Sequence, residues 1–167
     1  HLRRYQRMLE LLPPGAGHPL LDVGCYPGHL AVLAAIKGWH VSGVALEPER
    51  LGEPGFPDRM QAVGIDFHSL DIERTPLPFS ADSFDAVFFN ETAEHLAFNP
   101  FYPLGEIWRV LKPGGLMIFS VPNLCRFDVR WALLRGRSMY RPLSSPLALA
   151  FSSDMSNRHI REYCPGE

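Results

Sequence analysis

The stretch LLDVGCYPGHL, residues 20–30, frames the interpretation of the whole sequence. Residues 20–23 form a short apolar run that predicts a buried strand, and residues 29–37 are apolar nearly all round, which predicts a buried helix. The turn between them contains Gly24 and Gly28. Because glycine has no side chain, such a turn lets a ligand approach the backbone at the start of a helix. Taken alone, the stretch also fits an ordinary tight strand-to-helix turn.

The same alternation of strand and helix continues along the chain. Further short apolar runs begin near residues 41, 65, 84 and 116, and helix-length segments separate them. Runs that are apolar throughout are typical of strands buried on both faces, and this alternation predicts a parallel α/β sheet. Helices are predicted at residues 2–12, 29–37, 101–111 and 127–134, with shorter helical turns after Glu47 and over 57–63. The run Lys-Pro-Gly-Gly, residues 112–115, is predicted to end the helix before it.

Length and composition exclude several classes of protein. A chain of 167 residues with 46% apolar and 20% charged residues has the composition of one globular domain and not of a disordered chain. The net charge of −2 gives no overall signal for nucleic-acid binding, and no apolar run approaches the ~18 residues that a membrane span needs. The three widely spaced cysteines predict neither a disulfide framework nor a zinc site, so a cytoplasmic location is expected.

Four segments in order resemble the class I S-adenosylmethionine-dependent methyltransferases. The resemblance covers residues 20–123 and implies a Rossmann-like, doubly wound parallel sheet of strand order 3-2-1-4-5 with helices on both faces. It also implies S-adenosylmethionine as the cofactor and S-adenosylhomocysteine as its product. The segments are LDVGCYPGHLAVLA (21–34), VSGVALEPERL (41–51), LDIERTPLPFSADSFDAVFFNETAEHL (70–96) and EIWRVLKPGGLMIFSVPN (106–123).

The resemblance assigns cofactor-binding roles to particular residues. Asp22, Gly24 and Gly28 fall on the family's first motif, where the loop embraces the methionine part of the cofactor. Asp71 falls where an acid accepts a hydrogen bond from the adenine amino group, and Ile72 falls beside the adenine ring. An acceptor next to an apolar slot is also what the chemistry of adenine requires.

Other positions at the implied cofactor site include departures from the family pattern. Asn90 falls just after the fourth strand, where the main chain commonly meets the amino-acid end of the cofactor. Tyr26 stands where the family usually has a small residue, and it is expected to pack over the ligand. Ala45 stands where the family usually has an acid that binds the ribose; Glu47, two residues later, either takes that role or ribose binding is weakened.

The run Glu91-Thr92-Ala93-Glu94-His95 follows the fourth strand and supplies the candidate catalytic groups. If this run is helical, Glu91, Glu94 and His95 share one face. In one hypothesis, His95 is a general base for an acceptor hydroxyl. In a second, the three residues and His159 bind a metal ion, as a similar E-x-x-E-H constellation does in some O-methyltransferases. In the third and most ordinary one, they only cap the loop and form hydrogen bonds within it.

The sequence divides by charge within one domain. Residues 1–123, the expected cofactor-binding core, carry nine basic and fourteen acidic residues, hence −5, whereas residues 124–167 carry seven arginines and four acidic residues, hence +3. Arginines interleaved with aromatic residues fit an anionic substrate, single-stranded nucleic acid, or an ordinary solvated face of a cap or tail. The interleaved residues are Arg126, Phe127, Arg130, Trp131, Arg135, Arg137, Tyr140 and Arg141.

We further expect a family member that lacks the usual C-terminal strand hairpin, since residues 157–163 resemble the lead-in to the helix before it. The fifth strand should then lie at an exposed edge of the sheet unless residues 124–157 cover it. An uncovered edge strand invites pairing with a second chain, so a dimer formed through this edge is a candidate assembly.

The leading functional hypothesis is methyl transfer to a hydroxyl of a small molecule, a sugar or a lipid-linked compound. The alternative is a degenerate, non-catalytic domain that binds cofactor or a partner, suggested by Tyr26, Ala45 and the expected loss of the C-terminal strands. A nicotinamide-dependent oxidoreductase ranks last, because its G-x-G-x-x-G turn is absent from residues 24–29.

Overall fold

The computed structural model describes residues 2–15, 17–46, 53–97, 100–137 and 163–164. A single five-stranded sheet forms its centre. The strands are β1 (Pro19–Val23), β2 (His40–Ala45), β3 (Asp66–Ser69), β4 (Phe84–Asn90) and β5 (Leu111–Ser120). Their order across the sheet is β3-β2-β1-β4-β5, and every neighbouring pair is parallel. The predicted fold class and strand order are confirmed.

Five helices of the described residues connect or flank the strands. They are α1 (Leu2–Leu11), α2 (His29–Ile36), α3 (Phe56–Ala62), α4 (Phe101–Val110) and α5 (Phe127–Leu134), and a single 3₁₀ turn covers Ala93–His95. The helix expected to begin at Glu47 lies outside the described residues. Among the described helices, none combines the length and the apolar character needed to cross a bilayer.

Apolar side chains cover both faces of the sheet because successive residues of a strand point to opposite sides. Leu20 and Phe88 belong to a core cluster with residues of α1, α2 and α3. Leu21 and Val87, their neighbours in sequence, belong to a second cluster with residues of α4. β1, β2, β4 and β5 each contribute to both clusters, as the sequence predicted. The edge strand β3 differs, because it is mostly polar and contributes Phe67 to the first cluster.

Residues 112–115 follow the end of α4, as predicted, but the predicted start of the last strand is wrong. This run does not separate α4 from the last strand; α4 ends at Val110, and β5 begins at once with Leu111, five residues before the predicted start. Phe84 pairs with Leu111 and Ala86 with Leu116, so residues 112–115 bulge out of the ladder. Proline and glycine are tolerated there because β5 is the edge strand and its outer side has no strand partner among the described residues.

The cysteine prediction is also wrong. Cys125 and Cys164 form a disulfide bond that closes a sequence separation of 39 residues. Residues 163–164 return to the end of β5, where Asn123 pairs with Tyr163 and the Leu124 N–H donates to the Tyr163 carbonyl oxygen at 2.8 Å. The pairing depends on this return of the chain, which the spacing of the cysteines does not reveal.

The segment that leads into β4 is held against α4 by one arginine. The Arg109 guanidinium donates to the carbonyl oxygens of Leu77 at 3.0 Å and of Phe79 at 2.7 Å. It also donates to both carboxylate oxygens of Glu106, which in turn accepts from the Leu77 N–H at 2.8 Å. Hydrogen bonds from Arg109 hold the pKa of Glu106 below its ordinary value of 4.5.

Replacing Arg109 by Met should lower the free energy of unfolding by roughly 1–3 kcal/mol, because two carbonyl oxygens and a carboxylate lose a donor. Since the pKa of Glu106 is lowered in the folded state, the loss should be largest above pH 4.5 and should shrink as the pH falls below that value. Urea denaturation at a series of pH values measures it. The exposed Arg7→Met on α1 is the control, and equal effects of the two changes would contradict the prediction.

Candidate functional site

The predicted site residues lie at one edge of the sheet. Asp22 and Gly24 lie at the end of β1, Asp71 follows β3, and Asn90 ends β4. Because all five strands are parallel, their carboxyl ends meet at the same edge, which is where open α/β sheets bind ligands. The sheet order thus gathers residues that lie up to 68 positions apart in sequence.

The turn after β1 depends on its glycines. Gly24 has φ +79° and Gly28 has φ +88°, in the left-handed region that favours glycine. A Cβ atom on Gly24 would lie only 2.6 Å from Cγ2 of Thr92, and one on Gly28 would lie 2.7 Å from Cε of Met60. The backbone conformation therefore favours glycine at both positions. Space also requires glycine at position 24, whereas at position 28 the flexible end of Met60 could move aside.

Thr92 ties the ends of β1 and β4 together. Its hydroxyl donates to the Asn90 carbonyl oxygen at 3.0 Å and lies 3.4 Å from the Val23 carbonyl oxygen. The sequence reasoning did not assign Thr92 a role. Its position just after β4 was the available signal, because a glycine such as Gly24 at the end of one strand allows the residue after the adjacent strand to approach closely.

Asp22 is a buried carboxyl group at the centre of this edge. Its side chain is 4% exposed, and burial raises its pKa from 3.8 to about 7, although a hydrogen bond from the Ala31 N–H acts in the opposite direction. Ala31 lies in the first turn of α2, whose free N–H groups favour negative charge. A cation bound next to Asp22 would restore its charge. The ammonium group of an amino acid is a cation of this kind.

Asn90 is the second buried polar group at the edge. Neither its Nδ2 nor its Oδ1 atom has a hydrogen-bond partner among the described residues, and both atoms are buried. Buried amides are nearly always hydrogen-bonded, and leaving one without partners costs roughly 1–3 kcal/mol. A ligand with donors and acceptors at this edge would satisfy it, so the donor set fits the amino-acid end of the implied cofactor.

Asp71 and Ile72 lie side by side after β3. The Asp71 carboxylate is 32% exposed; it accepts from the Glu73 N–H at 3.0 Å and lies 3.7 Å from Arg74 Nε. The Ile72 side chain is 9% exposed and belongs to the same apolar cluster as Val44 of β2. The structure therefore places an acceptor next to an apolar surface, as the sequence analysis anticipated for adenine.

Tyr26 faces α3. Its hydroxyl donates to Glu53 at 3.1 Å, and its ring meets Phe56 edge-on with ring centroids 5.4 Å apart. Arg59 also pairs with Glu53. The expectation that Tyr26 packs over a ligand stays a prediction. The ribose assignment of Glu47 concerns a residue outside the described part of the chain and likewise stays a prediction.

Glu91 is engaged by the N-terminal helix. It has φ +49°, it lies 2.8 Å from Arg4 Nη1, and it accepts from the Ser120 hydroxyl at 3.3 Å. Arg4 of α1 thus reaches the end of β4. The sequence analysis had not connected α1 with the site, because no local pattern marks this contact.

The proposed face of Glu91, Glu94 and His95 does not form as predicted. The 3₁₀ turn covers only Ala93–His95 and leaves Glu91 outside it. Glu94 is 1% exposed, and its Oε1 lies 4.0 Å from Nε2 of His95, which is 29% exposed. Within the described ranges, no three His, Cys, Asp or Glu side chains are grouped to hold a metal ion, and His159 lies outside those ranges. The role of His95 as a base stays a prediction.

The comparisons with known proteins agree with this geometry. The family model described as a methyltransferase domain matches residues 21–119, more than half of the chain. The methyltransferase GfsG of Streptomyces halstedii is 35% identical over 144 residues, which cover 80% of this chain and 49% of GfsG. The chain spans from 31% to 50% of the length of such curated relatives.

Solved structures show the same fold. The YcgJ protein of Bacillus subtilis superposes with a TM-score of 0.63 at 26% identity, covering 74% of this chain and 52% of YcgJ. The [4+2]-cyclase SpnF superposes with a TM-score of 0.61, also at 26% identity, covering 71% of this chain and 44% of SpnF. The likeness therefore extends to proteins whose names describe different reactions.

Replacing Asp22 by Asn should change how stability depends on pH. The pKa of Asp22 is about 7 in the folded chain and near 3.8 when unfolded, so the unfolded state releases the proton first as the pH rises. The wild-type chain should therefore lose stability relative to Asp22→Asn between pH 4 and 7, by at most about 4 kcal/mol. Above pH 7 the difference in the free energy of unfolding between the two chains should be constant.

Urea denaturation of both chains over that pH range measures the difference. Asp66→Asn on β3 is the matched control, because its side chain is 68% exposed. Parallel curves for the wild type and Asp22→Asn would show that burial does not perturb this carboxyl group.

Proposed function

The chain belongs to the family of methyltransferase domains, and from that membership we propose that it transfers a methyl group to a hydroxyl of a small molecule, a sugar or a lipid-linked compound. S-adenosylmethionine is the cofactor that the family membership assigns, and S-adenosylhomocysteine is the product. The observation that carries the proposal is the buried Asn90 carboxamide at the carboxyl edge of the sheet, inside the segment that the family model matches.

The residues of the chain serve binding and orientation. Asp22 is placed to hold a cationic group, Asn90 to hydrogen-bond the amino-acid end of the cofactor, and Asp71 with Ile72 to receive the adenine. The cofactor supplies an activated methyl group, so transfer requires mainly that the acceptor be held in line with it. His95 would accept the proton of an acceptor hydroxyl, and the Glu94 carboxylate at 4.0 Å would stabilise the imidazolium that forms.

The alternative is a domain of the same fold that binds cofactor or a partner without methyl transfer. Ala45 in place of the usual acid and Tyr26 in the glycine loop support it. The [4+2]-cyclase SpnF supports it as well, since its name describes a reaction other than methyl transfer. Binding and turnover experiments separate the two functions.

Cofactor binding can be tested by calorimetric titration with S-adenosylmethionine and S-adenosylhomocysteine. We expect binding that weakens at least tenfold in Asp71→Ala, because the adenine amino group loses its acceptor. Asp66→Ala removes an exposed aspartate at the opposite end of β3 and should bind as the wild type does. A chain that folds but binds neither compound would contradict both functions, and binding without turnover would support the alternative.

His95→Ala should lower methyl transfer by roughly 10²–10⁴-fold and leave cofactor affinity unchanged, because a general base acts only on the acceptor. Labelled S-adenosylmethionine and an extract of small molecules and lipids serve as the assay. His68→Ala on β3 is the control for loss of an imidazole elsewhere. If His95→Ala transferred methyl groups as fast as the wild type, His95 would not be the general base.

A cytoplasmic location and a dimer formed through the outer edge of β5 also belong to the proposal. The Cys125–Cys164 bond provides a test of the location, since a reducing compartment keeps such cysteines as thiols. Alkylation in intact cells should label both residues, whereas Cys25, 4% exposed, should react only after unfolding. Recovery of an unlabelled disulfide would contradict a cytoplasmic location.

A further inference from the structure

Helix α5 presents an apolar stripe to solvent. The side chains of Phe127, Trp131 and Leu134 are 79%, 47% and 81% exposed. Their spacing of four and three residues puts them on one face of the helix. Val129, on the opposite face, is 6% exposed. The exposed stripe is therefore not the face by which α5 packs.

Positive charge flanks the stripe. Arg130 and Arg135 lie on either side of it, and both are exposed. Residues 124–137 contain four arginines and one aspartate, which gives +3 in a chain whose net charge is −2. We call Phe127, Trp131, Leu134 and these two arginines the α5 surface. Its charge is opposite in sign to that of residues 1–123.

The aromatic rings of the α5 surface contact each other and an arginine. The rings of Phe127 and Trp131 stack at a centroid distance of 6.2 Å with an interplanar angle of 12°. The Arg135 guanidinium lies 4.5 Å from the centre of the Trp131 ring. The aromatic and the cationic members of the surface are therefore contiguous.

We propose that the α5 surface docks the protein on an anionic lipid surface. An apolar stripe with tryptophan and phenylalanine, flanked by arginines, matches the layered chemistry of a membrane interface. The arginine guanidinium groups would stay beside the lipid phosphates, while their aliphatic chains and the apolar stripe enter the edge of the acyl-chain region. The negative charge of residues 1–123 orients the protein, since it turns that part away from the same lipids.

The observations favour lipid over single-stranded nucleic acid. The Trp131 ring already contacts Phe127 and Arg135, so less of its face is open to a stacking base. Leu134 is the most exposed member of the stripe, and an aliphatic side chain contributes to burial in lipid and not to stacking. This docking is separate from methyl transfer, and its test does not depend on turnover.

The position of α5 in the chain determines where a bound membrane would lie relative to the proposed cofactor site. The helix begins seven residues after β5 ends, and β5 ends at the carboxyl edge of the sheet. Between them, Asn123 pairs with Tyr163 and the Leu124 N–H donates to the Tyr163 carbonyl oxygen at 2.8 Å, so residues 163–164 lie against this short connection. A membrane bound by α5 would therefore lie beside the edge that carries Asp22 and Asn90.

The test is co-sedimentation of the full chain with vesicles of equal parts phosphatidylglycerol and phosphatidylcholine. We expect binding that is at least tenfold weaker with phosphatidylcholine alone and that weakens as salt rises. A Trp108→Phe background leaves Trp131 and the buried Trp39, and its emission should shift to shorter wavelength as the Trp131 ring enters the lipid.

Two pairs of substitutions divide the apolar from the charged contribution. Phe127→Ser with Leu134→Ser should weaken vesicle binding at least tenfold, and Arg130→Gln with Arg135→Gln about tenfold or more. The control is Ile36→Ser, whose side chain is 76% exposed on α2, a helix without lysine or arginine; it should bind as the wild type does. All of these positions are solvent-exposed, so folding should be retained.

Three results would overturn the proposal. One is the absence of binding to anionic vesicles by the folded chain. Another is vesicle binding that neither pair of substitutions weakens. The third is binding to a single-stranded oligonucleotide that the arginine pair abolishes while vesicle binding is absent, which would assign the α5 surface to nucleic acid.

Discussion

The close approach of Gly24 to Thr92 is the contact on which the site depends. A side chain at position 24 would overlap the Thr92 side chain, and the backbone there is in the left-handed region. With glycine in place, the Thr92 hydroxyl lies between carbonyl oxygens at the ends of β1 and β4. Asp22 and Asn90 are thereby held at one edge of the sheet, each on a strand whose direction is fixed by parallel pairing.

Two polar side chains at that edge are buried at a cost to stability. The carboxyl group of Asp22 is largely desolvated, which is why its pKa is raised to about 7, and the Asn90 amide has no partner among the described residues. Groups of this kind are retained where a ligand compensates for them. Asp22 and Asn90 lie on adjacent strands, and both lie within residues 21–119, which the family model matches.

The strands, their order and the edge that holds the site were predictable because they depend on local pattern and on the ordered motifs. Asp22, Asp71 and Asn90 lie at or after the ends of β1, β3 and β4, and their cofactor-binding roles stay predictions. The start of β5 was predicted wrongly because its position in the sheet overruled a local signal. Residues 112–115 follow the end of α4, as predicted, but they belong to the last strand as a bulge, which an edge strand tolerates.

Contacts between distant parts of the chain were also missed. Neither the approach of Arg4 to Glu91 nor the pairing of Cys125 with Cys164 leaves a trace in spacing. The attachment of α1 has a further consequence. Its later part is anchored by buried Met8, Leu9 and Leu12, and Tyr5 packs against the same core cluster. Arg4 near its beginning forms an ion pair with Glu91 whose side chains are 36% and 29% exposed and which is worth about 1 kcal/mol or less. A displacement of this helix would therefore alter the end of β4, the strand that carries Asn90.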